Sequence, residues 1–141
     1  MNLAPGMLLA ALAAAVLSIS PATGAGGGSP HKRSTTSETF VEFEGLAAAV
    51  VEGIRPAGTI QVEFGLEAPD REIHDLVLRL QPRLRAACAE AVAAYAGDLY
   101  LVGTPPDADL IATMMQERVD VAMGVTGAHV MLAMVIVHGV R

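Results

Sequence analysis

The side chains that could do chemistry in this chain are few and lie far apart in the sequence. His129 and His138 lie on one predicted strand an odd number of residues apart, so we expect them on opposite faces, unable to share a metal ion. His74 lies beside Asp75 on a predicted helix, where adjacent residues do not face each other. Serine and threonine concentrate at 34–37, where nothing could position a base against them. We therefore predict no catalytic residue, no metal ligand and no cofactor, and a protein that is not an enzyme.

The sulfur-containing side chains also favour packing over chemistry. Cys88 is the single cysteine, so no intramolecular disulfide can form, and its place on an apolar helical stripe favours burial over a reactive or intermolecular thiol. A cluster of methionines could suggest copper binding or an adaptable groove. Because the chain has no tryptophan and few other aromatic residues, we interpret the cluster as filler of an aromatic-poor core. Its members are Met114, Met115, Met123, Met131 and Met134.

The arginines on the predicted helix that carries Cys88 are the best candidates for contact with a partner. The net charge is −6, which makes binding to nucleic-acid phosphates unfavourable. Against that acidic background, the arginines, together with Arg71, could form a basic stripe that docks an acidic partner. The alternative is a solvated face that makes weak ion pairs. The candidate partner-contact face consists of Arg79, Arg83, Arg85 and Glu90.

The first 38 residues have the composition of a targeting signal and a tether. An apolar run at 7–19 precedes the small residues Thr23 and Ala25, which is typical of a secretory signal, although the stretch before the run lacks Lys and Arg. We predict a signal peptide over 1–25, hence export and a periplasmic location. The alternative is an uncleaved anchor that would keep the protein near the inner membrane. Residues 26–38 are rich in Gly and Ser and predict a flexible linker to a domain over 39–141.

The domain begins with two strands that form a hairpin. Apolar and acidic residues alternate over 39–44, and a second alternating run covers 59–67. The intervening stretch 46–51 could extend the first strand past a bulge at Gly45 or form a short helical turn. We place the turn at 55–58, where Pro and Gly suit it.

Two helices and a last strand follow. Asp70 is a good N-cap for a long helix that ends at Gly97, and Pro82 predicts a kink within it. Asp107 caps a second helix that Gly124 ends. The predicted inward residues of that helix are Leu110, Ile111, Met114, Val121 and Ala122. The apolar run 128–138 predicts a strand covered on both faces. The order β-β-α-α-β indicates an α+β fold, in which two helices, one of them long and kinked, cover a small sheet.

One ordered combination of motifs resembles the FliL family of flagellar basal-body-associated proteins. A strand that ends in Gly65-Leu66-Glu67-Ala68-Pro69-Asp70 enters a helix that contains Leu80-Gln81-Pro82-Arg83-Leu84-Arg85-Ala86. The family pattern has Asp after the second Arg, where this chain has Ala86. The resemblance covers about 40–140 and implies a stomatin-like α/β domain that self-associates around the stator units of the flagellar motor, without enzymatic activity.

The resemblance therefore predicts a non-enzymatic periplasmic interaction protein that supports the flagellar basal body or stator units in motility. The alternative is a general periplasmic scaffold of a non-flagellar envelope complex. A small-molecule binder or an unrecognised enzyme is the third and weakest hypothesis.

Overall fold

The computed structural model describes residues 38–139. The predicted signal peptide, 1–25, and all but the last residue of the predicted linker, 26–38, lie outside the described residues. An antiparallel sheet of four strands and two helices form the domain, so the predicted α+β fold is confirmed. In chain order the elements are β1 Phe40–Glu42, β2 Leu46–Glu52, β3 Arg55–Glu67, α1 Arg71–Ala94, a π-helical turn Tyr95–Leu99, α2 Ala108–Met123 and β4 His129–His138.

The long strand β3 is the centre of the sheet. β1 and β2 pair with it one after the other along one edge, and β4 pairs with it along the other edge. Every second β3 side chain is buried on the face covered by the helices: Ile60, Val62, Phe64 and Leu66. The opposite face of the sheet carries no helix within the described residues, and we call it the open face.

The first half of the sheet confirms the strand extension and corrects the hairpin turn. Val41 and Phe43 are buried between exposed glutamates, as the alternation predicts. The chain continues past Gly45 into β2 as a strand. The turn lies at Gly53 and Ile54 instead of 55–58, because Glu52 pairs with Arg55 and Gly53 takes a φ of 64° that suits glycine.

The helix α1 begins at the predicted cap. The Asp70 carboxylate accepts hydrogen bonds from the backbone N–H groups of Glu72 and Ile73, at 2.8 and 3.1 Å. The helix continues without a break through Pro82. Its predicted end at Gly97 is wrong: a π-helical turn carries the chain to Leu99, closed by a 2.8 Å bond from Tyr100 N–H to the Tyr95 carbonyl.

The π-helical turn anchors the loop that leads to α2. Tyr95 is buried, and its hydroxyl accepts a 2.7 Å bond from the N–H of Asp107, the N-cap of α2. The Tyr100 hydroxyl donates to the Thr104 carbonyl at 2.8 Å. These two bonds, one across four residues and one across twelve, tie the π-helical turn to the loop and keep both tyrosines facing it.

The predicted cap and end of α2 are confirmed, but its inward face is partly wrong. Asp107 accepts a bond from Leu110 N–H at 3.0 Å, and Gly124 ends the helix with a φ of 73°. The buried stripe has a strict four-residue spacing: Ile111, Met115, Val119 and Met123. Leu110 and Val121 are 39% and 79% exposed, because the helix packs about one residue out of phase with the predicted face. Met114 and Ala122 are half-buried beside the stripe.

The last strand is an edge strand, so its predicted cover on both faces is wrong. It pairs with β3 alone among the described residues, and helices cover only its inner face. Met131 and Met134 are 47% and 36% exposed on the open face, so their interpretation as core filler is also wrong. Met115 and Met123 are buried and confirm that interpretation for α2.

An irregularity in β4 reverses the predicted placement of its two histidines. Glu63 pairs with Met134 and Phe64 with Leu132, so Ala133 is an extra residue, a β-bulge. One extra residue shifts the alternation by one, and His129 and His138 both lie on the open face, opposite Glu67 and Thr59. Those two positions on β3 are about 27 Å apart at the usual rise of a strand, so the histidines do not share a site.

The core lies between the inner face of the sheet and the two helices. Phe43 and Phe64 stack with ring centroids 5.1 Å apart, and the predicted burial of Cys88 is confirmed. On the open face, the Phe40 ring lies over Gly65 so closely that a Cβ there would approach the ring to 2.1 Å. Neither described helix is long and apolar enough to cross a membrane.

Candidate partner-binding surfaces

The outward side of α1 carries two exposed arginines. Arg79 and Arg83 are exposed and lie one helical turn apart, so their guanidinium groups project side by side. Within residues 38–139 neither forms a hydrogen bond or an ion pair. We call Arg79, Arg83 and Glu90, which share this side of the helix, the α1 surface.

Glu90 lies at the end of the α1 surface that is nearest to α2. Its Oε2 lies 3.4 Å from Nη1 of Arg118 on α2. Both side chains are more than half exposed, so this pair contributes little to stability. The pair places a third arginine, Arg118, beside Arg79 and Arg83. Two further carboxylates, Asp75 and Glu72, lie on the same side of α1, one and two turns before Arg79.

Arg85 does not belong to this surface, although the sequence grouped it there. It follows Arg83 by two residues, about 200° around the helix, and therefore faces the sheet. Its Nη2 donates to the Gly45 carbonyl at 3.1 Å, and its Nε lies 3.6 Å from a Glu44 carboxylate oxygen without a hydrogen bond. Arg85 thus links α1 to the junction of β1 and β2, which gives it a role within the fold.

Two shallow hollows flank the first half of α1. The larger, about 600 Å³, is lined by Glu72, Asp75, Leu78 and Arg79 and lies wide open to solvent. The smaller, about 410 Å³, lies where β3 enters the helix and includes His74. The imidazole Nδ1 of His74 is 4.0 Å from an Asp75 carboxylate oxygen, too far for a hydrogen bond. Within residues 38–139, no three His, Cys, Asp or Glu side chains come together in a metal-binding group.

The open face of the sheet is the second extended surface. Small and flexible apolar side chains from β2 and β4 lie beside acidic ones from β3. The apolar members are Ala47, Ala49, Met131, Met134 and Ile136, and the acidic members are Glu63 and Glu67. His138 bonds to Gln61 at 3.0 Å on this face. A mixed surface of this kind suits contact with another protein better than contact with bulk water alone.

One end of the β4 edge is closed by a side chain from α2. Gln116 donates from Nε2 to the Ala128 carbonyl at 2.9 Å, and its Oε1 accepts from Val130 N–H at 2.8 Å. The same Nε2 lies 2.9 Å from an Asp120 carboxylate oxygen. The amide therefore pairs with the strand as a neighbouring strand would. Sequence reasoning missed Gln116, because a glutamine on a helix carries no signal of a strand contact.

Replacing Gln116 by leucine should destabilise the fold at the start of β4. The change leaves Val130 N–H and the Ala128 carbonyl without their partner, so we expect a loss of about 1–3 kcal/mol in the free energy of unfolding. The amide hydrogen of Val130 should also exchange faster. Urea unfolding and hydrogen exchange of the two proteins measure both effects.

Gln81→Leu is the matched control for this substitution. Gln81 donates to the Glu42 carbonyl at 3.4 Å, near the long limit of hydrogen bonding, so its loss should cost less than about 0.5 kcal/mol. Equal stability of the two variants would contradict the assignment of Gln116 as the partner of the β4 edge.

Comparison with known proteins adds no assignment. No protein-family model, no curated protein and no solved structure matches this chain.

Proposed function

We propose that this chain is an exported, non-enzymatic interaction protein, similar to FliL, that supports the flagellar basal body or stator units from the periplasm. The observation that carries the proposal is the α1 surface, where Arg79 and Arg83 project from a long helix without a partner in the described domain. Arginine is enriched at the buried centre of protein interfaces, because its planar guanidinium can donate two parallel hydrogen bonds to one carboxylate.

The charge of the molecule supports an acidic partner for the α1 surface. The chain carries 15 acidic and 9 basic residues, and three of those basic residues, Arg79, Arg83 and Arg118, lie on or beside the α1 surface. Three neighbouring guanidinium groups on an otherwise acidic protein attract an acidic protein segment and orient its approach. The partner we propose is therefore a protein with clustered carboxylates.

The motif that suggested the family lies partly on this surface. Its segment Leu80–Ala86 forms the middle of α1. The chain reaches this helix from the end of β3 through the Asp70 cap, and the resemblance implies the same order of elements. Arg83 faces outward and Arg85 faces the sheet. The motif therefore contributes one residue to partner contact and one to the fold.

One observation favours the second candidate, a scaffold of a non-flagellar envelope complex. Ala86 is exposed on the outward side of α1, between Arg83 and Glu90, where the family pattern carries Asp. This position is exposed, so a carboxylate there would be available to a partner and would not affect the packing of the core. The loss of a carboxylate there favours a partner different from that of the flagellar family.

Deletion of the gene in its own organism, with measurement of swimming and of stator occupancy at the motor, tests the proposal. We expect reduced swimming that the unmodified gene restores. The double variant Arg79→Glu/Arg83→Glu should fail to restore it, because charge reversal on the α1 surface repels an acidic partner.

Glu117→Lys is the matched control, a charge reversal at an exposed position of α2, and it should restore swimming fully. Normal swimming with unchanged stator occupancy after deletion would rule out the flagellar role. Co-purification of non-motor envelope proteins that the double Arg variant loses would then support the second candidate. Recovery of the intact chain from the cytosol would contradict both.

A further inference from the structure

Within residues 38–139, the outer edge of β4 pairs with no other strand. β3 directs the backbone groups of its even-numbered residues toward β1 and β2, since the Phe64 carbonyl accepts from Phe43 N–H. Val135 and Val137 stand opposite two of those even-numbered residues, Val62 and Ile60. In an antiparallel ladder their own N–H and C=O groups therefore point away from β3, along the free edge.

Only part of this edge can accept another strand. Gln116 occupies the backbone groups at Ala128 and Val130, and the bulge at Ala133 interrupts the regular geometry. A bulge beside a blocked end is a common protection of strand edges. The regular, unblocked stretch that remains runs from Met134 to His138, with Ile136 at its centre.

The charge distribution makes a second copy of this chain the best occupant. The net charge of −6 opposes contact between two copies over most of the molecule. β4, however, carries no Asp, Glu, Lys or Arg, and no acidic residue follows Asp120 in the chain. Natural edge strands commonly carry a charged residue or proline that prevents such pairing, and 134–138 carries neither.

We propose that the 134–138 edges of two copies pair antiparallel about a two-fold axis at Ile136. In this register Ile136 lies opposite its counterpart and Met134 lies opposite His138 on the open face. Val135 of each copy exchanges backbone hydrogen bonds with Val137 of the other. The two sheets then form one continuous sheet, and their open faces join into a single surface.

The dimer is weak, because five residues from each copy bury far less than the area of a stable interface, about 1,200–2,000 Å². It forms only at high protein concentration, and more readily where an assembly holds several copies together. This inference goes beyond the proposed function and does not depend on it, since association of the purified protein is independent of motility.

Disulfide trapping of the full-length protein tests the register. The Ile136→Cys change is made in a Cys88→Ala background, which removes the single natural thiol. Residues opposite each other in a non-hydrogen-bonded antiparallel pair have Cα atoms about 4.5 Å apart, within the range of a disulfide. We expect oxidation to produce a covalent dimer in high yield. Val121→Cys, at a 79% exposed position on α2, should yield little. Equal yields from the two variants would overturn the proposal.

Sedimentation velocity over a range of concentrations tests the association itself. The unmodified protein should dimerise reversibly, and Ile136→Lys, which brings two ammonium groups together at the axis, should stay monomeric. Ile136→Val should retain the dimer, and Val121→Lys should behave as the unmodified protein does. An unmodified protein that is monomeric at its solubility limit would overturn the proposal, as would equal effects of the two lysine variants. Circular dichroism checks that each variant is folded, and the trapping experiment decides the outcome if Ile136→Lys is not.

Discussion

Leu84→Ala is expected to lower the free energy of unfolding by about 2–5 kcal/mol, the usual cost of emptying a fully buried leucine site. Leu84 lies on the inward side of α1, and none of its surface is exposed. A domain of this size is stable by about 5–15 kcal/mol, so the substitution removes a large part of its stability. Urea unfolding followed by circular dichroism measures the change.

Leu78→Ala on the same helix is the matched control. Leu78 is 48% exposed, so truncation leaves no closed cavity and should cost less than about 1 kcal/mol. The helix propensity of the residue changes equally in both variants, and the difference between them therefore measures burial. If the two variants were equally stable, the packing phase of α1 would be wrong.

The buried thiol of Cys88 should make the protein lose stability in alkaline solution. Burial raises the pKa of this thiol from an ordinary value of 9.0 to about 12, because the thiolate loses its hydration inside the core. Above pH 9 the unfolded chain releases the proton while the folded protein keeps it. Stability is therefore fully present below pH 9 and falls as the pH rises toward 12, by about 4 kcal/mol in all.

Unfolding in urea at pH 8 to 11, with a reductant present, measures this dependence. The Cys88→Ala variant is the control, since it keeps every other titrating group and lacks the thiol. The difference in stability between the two proteins should stay constant up to pH 9 and then shift in favour of the variant, by about 1.4 kcal/mol per pH unit. A difference that stays constant to pH 11 would contradict the burial of a protonated thiol at position 88.

The helices were largely predictable from local sequence, because their determinants lie close together in the chain. Asp70 and Asp107 cap helices through their own side chains, and Gly124 ends one through its backbone freedom. The π-helical turn was not predictable. It depends on the bond between the Tyr95 hydroxyl and Asp107 N–H, two residues on opposite sides of a loop whose path the local pattern does not specify.

The positions of the strands were largely predictable from the sequence, but which of their faces are exposed to solvent was not. A continuous apolar run is typical of a strand covered on both faces, yet β4 lies at the edge and half of it faces solvent. The number of layers around a strand depends on the whole topology, and local composition does not report it. The local sequence also does not predict the bulge at Ala133. This bulge alone places His129 on the same face of the sheet as His138.

The candidate contact surface was predictable in part. The spacing of Arg79, Arg83 and Glu90 places them on one side of a helix, whereas Arg85 was grouped with them by proximity in sequence alone. Its actual partner is the Gly45 carbonyl, about 40 residues earlier in the chain. The unpaired edge of β4 within residues 38–139 could not be predicted from the sequence, because an edge exists only once the strand order is known.

By itself the sequence determined the α+β class, the caps of both helices, the burial of Cys88 and the acidic character of the chain, since propensity, periodicity and charge are properties of neighbouring residues. Tertiary structure alone decided which face of the sheet stays open, where Arg85 points and which backbone groups of β4 remain available. Those features arise from contacts between segments far apart in the chain. The free energy of such contacts cannot be inferred from the spacing of residue types within one segment.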